Sequence, residues 1–259
     1  MRKIFFFLII TSISVHSFAQ DTRKDRQEAK KQHINDVIKQ QEEGVITYKK
    51  SFAVGGKLTT DGYGLFFELG RASSVKKALL YQLEIGERKS PREYKQTSYF
   101  SNSAPFIYGK ENFFYPVKLG VQQQMLLGNK SNKNGVAITA NYGGGVTAAF
   151  LRPYYVQVDN GNSIGYVKYN SPDSAEFLTG NIIGGPGLSK GWNEITVTPG
   201  LYAKAALRFD YGSYNELISA IEVGVTGEYY TKKIPQMVYN PEKQFFFGGY
   251  VAIMFGKRK

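Results

Sequence analysis

Lys77-Ala-Leu-Leu-Tyr-Gln-Leu-Glu-Ile-Gly-Glu-Arg88 alternates along most of its length. Leu79, Tyr81, Leu83 and Ile85 share one parity, and Gln82, Glu84 and Arg88 share the other. Successive side chains of a strand point to opposite faces, so this segment reads as a strand with one apolar and one charged side. The same reading extends outward to eight segments: Lys49–Thr59, Tyr63–Gly70, Lys77–Arg88, Phe113–Gln124, Val136–Phe150, Trp192–Arg208, Leu217–Glu228 and Gln244–Phe255. Asp61-Gly62 and Asn134-Gly135 mark tight turns between neighbours.

The connections alternate in length. Those after the second, fourth and sixth strands are short, whereas the third, fifth and seventh are long or medium. Short turns on the periplasmic side and longer loops outside are the asymmetry of bacterial outer-membrane barrels. The expected fold is therefore all-β: an eight-stranded antiparallel transmembrane β-barrel with a short N-terminal periplasmic helical segment. A closed barrel is the sheet that satisfies every backbone hydrogen bond in lipid.

Choosing one parity per strand gives an outward set that includes Phe52, Leu65, Leu83, Leu119, Tyr142, Leu201, Val223 and Ile253, and none of its members is charged. The opposite parity carries Lys57, Arg88, Lys118, Lys204 and Arg208 against Glu68, Glu84, Glu194, Glu222 and Glu228. An eight-stranded barrel has an interior only wide enough for its own side chains, so these ten charges are expected to pair as a plug. Gln82, Gln122, Thr196, Thr226 and Tyr250 are expected to fill the remaining hydrogen-bond positions. A polar track for ions or small solutes is the functional alternative. A soluble barrel with the apolar parity inside would leave the charges outside, and it explains the aromatic strand ends less well.

Residues 1–19 read as a signal peptide: Met1-Arg2-Lys3 is basic, Ile4–Ile10 is apolar, and Ser17-Phe18-Ala19 places small residues for cleavage after Ala19. The apolar run is too short for a bilayer core of about 30 Å. Residues 20–47 form a charged periplasmic segment, with six basic and six acidic side chains between Asp21 and Glu43; Ile34, Val37 and Ile38 give it a weak helical face, and a solvated linker is the alternative. The barrel takes 48–256 and a basic tail 257–259. Localisation follows as the outer membrane of a Gram-negative-type bacterium.

The 28 glycines, 19 tyrosines and 18 phenylalanines suit a barrel with aromatic girdles, and a mean hydropathy of -0.32 is the muted signal of strands that show lipid alternate residues only. Removing Arg2 and Lys3 takes the net charge from +12 to +10. Lys49, Lys50, Arg71, Lys76, Lys77, Lys130, Lys133, Lys257, Arg258 and Lys259 fall at expected periplasmic ends, where a basic collar meets anionic headgroups or docks a periplasmic partner. Lipids of the outer membrane are the expected partners, with periplasmic or outer-membrane proteins beside them and no nucleic acid.

Chemistry is sparsely provided for. There is no cysteine, and His33 alone remains after signal removal, far from any outer loop, so a Ser-His or Asp-His constellation is not available. No enzyme activity, cofactor or metal is expected. Gly143-Gly144-Gly145 lacks the Lys-Ser/Thr of a phosphate loop and reads as a close approach between strands. Asp159-Asn160-Gly161-Asn162 lacks the distal Glu of a calcium loop and reads as a turn. The long loops hold Tyr94, Tyr99, Phe106, Tyr108, Tyr154, Tyr155, Tyr166 and Tyr169, a candidate binding surface whose structural alternative is an aromatic girdle and loop packing.

The Ser-Phe-Ala-Gln after the apolar run, the strand-and-loop rhythm and the closing Phe-Phe-Phe-Gly-Gly-Tyr-Val-Ala-Ile-Met-Phe255 resemble the small outer-membrane β-barrel proteins of Bacteroidota, the OmpA/OmpX-like and PorT-like group. The resemblance covers about residues 48–256 and is architectural. It implies that Val251, Ile253 and Phe255 form the signal read by the barrel-assembly machine. Gly249 lies one place off the usual glycine, and Gly256 to Lys259 follow the terminal aromatic. Nothing corresponds to an OmpA-type peptidoglycan-binding domain.

Overall fold

A computed structural model describes residues 28, 31, 48–74, 76–97, 104–130, 135–159, 161, 163–170, 172–185, 187, 189–212 and 216–259. The expected signal peptide lies outside these residues, as does most of the charged segment, of which Glu28 and Lys31 are helical.

Eight long strands close the barrel: β1 (Lys50–Thr59), β2 (Gly62–Ser74), β3 (Lys77–Arg88), β6 (Asn112–Gly128), β7 (Ala137–Pro153), β11 (Thr196–Asp210), β12 (Leu217–Ile234) and β13 (Lys243–Arg258). Between them stand short elements: β4 (Lys95–Gln96), β5 (Phe106–Ile107), β8 (Tyr155–Asp159), β9 (Ile164–Lys168), helix α1 (Ser174–Thr179), β10 (Ile182–Gly184) and a 3-10 turn, Trp192–Glu194. The order around the barrel is β1-β13-β12-β11-β7-β6-β3-β2, every neighbouring pair is antiparallel, and β1 meets both β13 and β2. The protein is an eight-stranded transmembrane β-barrel. Among the described residues no helix is long and apolar enough to cross a membrane.

Alternation decides which way each side chain points. On β11, Leu201 is 63% exposed, whereas Tyr202 and Lys204 are 6% and 5% exposed. The same switch runs through Leu65, Phe67 and Leu69 outside and Phe66 and Glu68 inside on β2. The outer wall is a continuous belt of Leu, Val, Ile, Phe and Tyr, which in water would be a very large exposed apolar patch and in lipid is the required surface. Its two edges are aromatic: Tyr81, Tyr142, Tyr211 and Phe255 toward the end where β1 starts and β13 stops, and Tyr63, Trp192, Tyr229 and Phe245 toward the other.

Glycine makes room where large side chains must turn inward. A Cβ on Gly120 would lie 2.4 Å from the Tyr202 hydroxyl. Gly143, Gly144 and Gly145 lie against carbonyl oxygens of adjoining strands, and a Cβ on any of them would come within 2.2 to 2.4 Å of one. That triplet is the close approach its sequence implies.

One strand begins later than its sequence pattern implies. Gly191 has φ +86, and Trp192–Glu194 is a 3-10 turn, so β11 starts at Thr196 rather than at Trp192. Only beyond this bend does alternation apply. The large outer segment after β7 is also more structured than its Gly, Asn and Pro content implies, because it holds the sheet β10-β8-β9 and α1.

Candidate functional site

The lumen is filled by an ionic network of two groups, joined where the Lys57 ammonium lies 3.9 Å from the ring centre of Tyr250, whose hydroxyl donates to Glu222. Glu84 accepts from Lys57 at 2.9 Å and from Lys118 at 2.8 Å; Lys118 reaches Glu228 at 2.7 Å, and Glu228 binds both terminal nitrogens of Arg88 at 3.1 Å. Toward the termini, Arg208 bridges Glu68 at 2.6 Å and Glu222 at 2.8 Å. Glu222 also accepts from Lys204 at 3.1 Å, the Tyr250 hydroxyl at 2.7 Å and the Asn141 amide at 2.9 Å. The Gln82 carbonyl accepts from Lys204 at 2.9 Å and from Gln122. Each of these charged side chains is at most 6% exposed.

Nine of the ten charges expected inside are gathered there. Glu194 is the correction. It sits in the 3-10 turn above the barrel, where its carboxylate accepts from Lys168 and, at 2.8 Å, from the Tyr155 hydroxyl. The bend at Gly191 removes it from the strand parity that would have aimed it inward. Asp61, at the tight turn between β1 and β2, takes its place by accepting from Arg88 Nε at 2.7 Å. Lys57, Arg88, Lys118, Lys204 and Arg208 therefore still face five carboxylates: Asp61, Glu68, Glu84, Glu222 and Glu228. Of the neutral residues expected beside them, Gln82, Gln122, Thr226 and Tyr250 are buried, and Thr196 is exposed at the upper end of β11.

Buried apolar clusters lie toward both ends of this network. Below it, toward the termini, Ala53, Ile218, Ala220 and Met254 belong to one buried cluster with Phe66 and Ala252. Above it, Phe114, Tyr230 and Phe246 pack ring to ring at 5.4 to 5.9 Å with Ala149, Leu151 and Ile234 around them. The Arg88 guanidinium lies 5.0 Å from the Phe246 ring centre, so the lid holds the uppermost cation by its π face as well as by shape. Ion pairs screened from water at both ends are the arrangement in which desolvated charges are compensated rather than hydrated.

Above the lid the loops fold onto each other. Ile107, Tyr154, Val156, Val158, Val167, Phe177 and Met237 form a second core that draws on three different loops. Tyr154 accepts from the Ile107 amide at 2.8 Å, and burial pushes its hydroxyl up to about 12. Lys110, buried here, donates to Glu93 at 2.6 Å; desolvation lowers its ammonium despite that carboxylate. Arg152 lies 4.1 Å from the Phe113 ring centre and 4.7 Å from that of Trp192, a contact the sequence reading missed.

The eight loop aromatics divide accordingly. Phe106 and Tyr154 are interior, and Tyr169 packs on Phe177. Tyr155 is half-buried against Glu194. Tyr94, Tyr108 and Tyr166 are exposed, Tyr108 being stacked with Tyr239 at 6.3 Å; Tyr99 lies outside the described residues. Val251, Ile253 and Phe255 all face outward on β13. A signal for this cap was available: Tyr155-Val-Gln-Val-Asp159 and Ile164-Gly-Tyr-Val-Lys168 flank an Asn-Gly turn, which is a hairpin pattern.

At the lower end, Lys130 and Arg258 turn in to Asp210, Lys130 at 3.5 Å. Lys49, Lys50, Arg71, Lys76, Lys77, Lys257 and Lys259 are exposed, and Lys133 lies outside the described residues. Among the described residues no group of three His, Asp or Glu side chains is placed to hold a metal ion.

No family model matches the chain, and no curated protein does. Among solved structures it is similar to Neisserial surface protein A (10% identity, TM-score 0.39, covering 81% of this chain and 95% of that one). It is also similar to Ail, the attachment invasion locus protein of Yersinia pestis (9%, 0.38, 82% and 100%). A third likeness is to the N-terminal β-barrel domain of Pseudomonas aeruginosa OprF (12%, 0.32, 80% and 96%).

Proposed function

We propose that the protein is a non-enzymatic outer-membrane barrel whose lumen is a structural plug. In this reading it acts as an envelope structural protein or as an accessory subunit of an outer-membrane assembly or secretion complex. The observation that carries it is the ionic lumen: charges gathered in one group of six and one of four, with Ile218 and Met254 below them and Phe114, Tyr230 and Phe246 above. An ion entering this interior would have to break pairs and pass two apolar layers, so no observation favours a solute pore. The exposed cations of the lower end support contact with anionic headgroups or with a periplasmic partner. The expected signal peptide, with cleavage near Ala19, accounts for delivery to that membrane.

Planar-bilayer recording tests the plug. The expected result is a quiet membrane after insertion; steady ohmic currents would overturn it. Partners recovered in mild detergent by the full chain, and lost on deleting residues 21–43, would locate an accessory role in the charged segment.

A second reading has its own observation. The cap is a folded unit with exposed Tyr94, Tyr166 and the stacked Tyr108–Tyr239 pair on its surface, a rigid amphipathic face of the kind that binds glycans or proteins. Glycan-array binding lost on Tyr108→Ala and Tyr239→Ala would establish it.

A further inference from the structure

The rim of the barrel has a step. β1 and β2 end at Thr59 and Gly62, but the neighbouring β13 runs on past them. Its ladder with β1 stops at Tyr250, followed by one bond from the Thr60 amide to the Gly249 carbonyl at 3.0 Å. Lys243 to Gly248 therefore have no strand beside them on that edge among the described residues. The segment after β3 arches over the step, fixed by Lys89 N–H to the Asp61 carbonyl at 2.7 Å and by Arg92 to Asn240 at 3.0 Å. Beneath the arch is a notch of about 400 Å³.

Its lining combines two chemistries. Lys89, Arg92 and Lys243 bring positive charge, and none of the three makes an ion pair among the described residues. Asp61 also borders it but offers no open acceptor, because Oδ2 is taken by Arg88 and Oδ1 is buried. Phe245 and Phe247 form the outer lip and are 59% and 65% exposed on the lipid-facing wall. The notch thus opens where the apolar belt ends, the level of a leaflet's headgroups in a barrel that spans a bilayer.

We propose that the notch binds the headgroup of one lipid, an anionic phosphate diester. The phosphate meets Lys89, Arg92 and Lys243, and an acyl chain lies along Phe245 and Phe247. The inference rests on the membrane-spanning reading above and adds a ligand to it. A free anion would satisfy the cations but would leave the aromatic lip without a role.

Nanodiscs of phosphatidylcholine containing a minority of phosphatidylglycerol, an anionic phosphate diester, provide the test. After transfer to mild detergent, native mass spectrometry reads the lipid retained per barrel. The expected result is one phosphatidylglycerol retained by the parent protein and at least about tenfold less by the triple variant Lys89→Gln, Arg92→Gln, Lys243→Gln. A charge-matched variant, Lys95→Gln, Lys190→Gln, Lys233→Gln, removes rim lysines outside the notch and should retain the lipid. Equal retention by parent and notch variant, or loss in both variants alike, would overturn the proposal. So would displacement of the lipid by millimolar inorganic phosphate alone. Heat-modifiable gel migration of each sample separates the two levels: a folded, inserted barrel without retained lipid sinks this inference only, and failure to insert sinks the membrane-spanning reading with it.

Discussion

The lumen and the outer cap are both packed interiors, but they are held together differently. In the lumen the residues that touch come from strands whose parity already commits each side chain, and the contacts are ionic: Arg208 with Glu68 and Glu222, Lys118 with Glu84 and Glu228. In the cap the touching residues come from loops far apart in sequence, and the contacts are apolar and aromatic, with Ile107, Tyr154 and Met237 in one cluster. A periodic scaffold lets charge be stored inside because every partner's direction is fixed. An aperiodic one relies on shape.

The sharpest way to break this comparison is to remove a carboxylate from the centre of the lumen. Glu222→Gln leaves Lys204 and Arg208 short of a counter-charge in a dry interior, and should cost about 3–5 kcal/mol in reversible urea unfolding from detergent or lipid. Next in size is a charge on the opposite parity. Leu201→Arg places a cation on the lipid side of the same strand that carries Lys204, and should cost about 2–4 kcal/mol in the same assay. A cost near zero for both would mean that the two faces are not in different media.

The cap should respond locally. Tyr154→Phe removes the acceptor of the Ile107 amide in its core, and about 1 kcal/mol of lost stability is expected. It should show as faster amide exchange in residues 104–110 and 154–168, with barrel exchange unchanged. Smallest is Glu194→Gln. Its pairing with Lys168 is exposed, so a change under about 1 kcal/mol is expected, a direct contrast with Glu222→Gln.

How much could be read beforehand follows from the same contrast. The strand count, the order of short and long connections and the inward position of Lys57, Glu68, Glu84, Arg88, Lys118, Lys204, Arg208, Glu222 and Glu228 were legible, because a period of two fixes a face wherever a strand continues. Glu194 was misplaced because strand parity was applied to Trp192–Glu194, a 3-10 turn where the strand has not yet begun. Asp61 was legible as a turn residue but not as the fifth lumen carboxylate, since its role depends on Arg88 reaching the rim. The cap's hairpin had a local signal, whereas the meeting of Ile107 with Tyr154 and Met237 had none: no periodicity links three separate loops.

The chain has no cysteine, so single cysteines introduced along β13 can carry spin labels without background. Accessibility to dissolved oxygen and to a water-soluble nickel complex, measured in lipid at positions 251 to 255, tests most directly whether the two parities meet lipid and a dry plug. Labels at 251, 253 and 255 should be open to oxygen and closed to nickel, and those at 252 and 254 closed to both. Nickel access at 252 and 254 would contradict the account, because water would then fill the space assigned to the ion pairs.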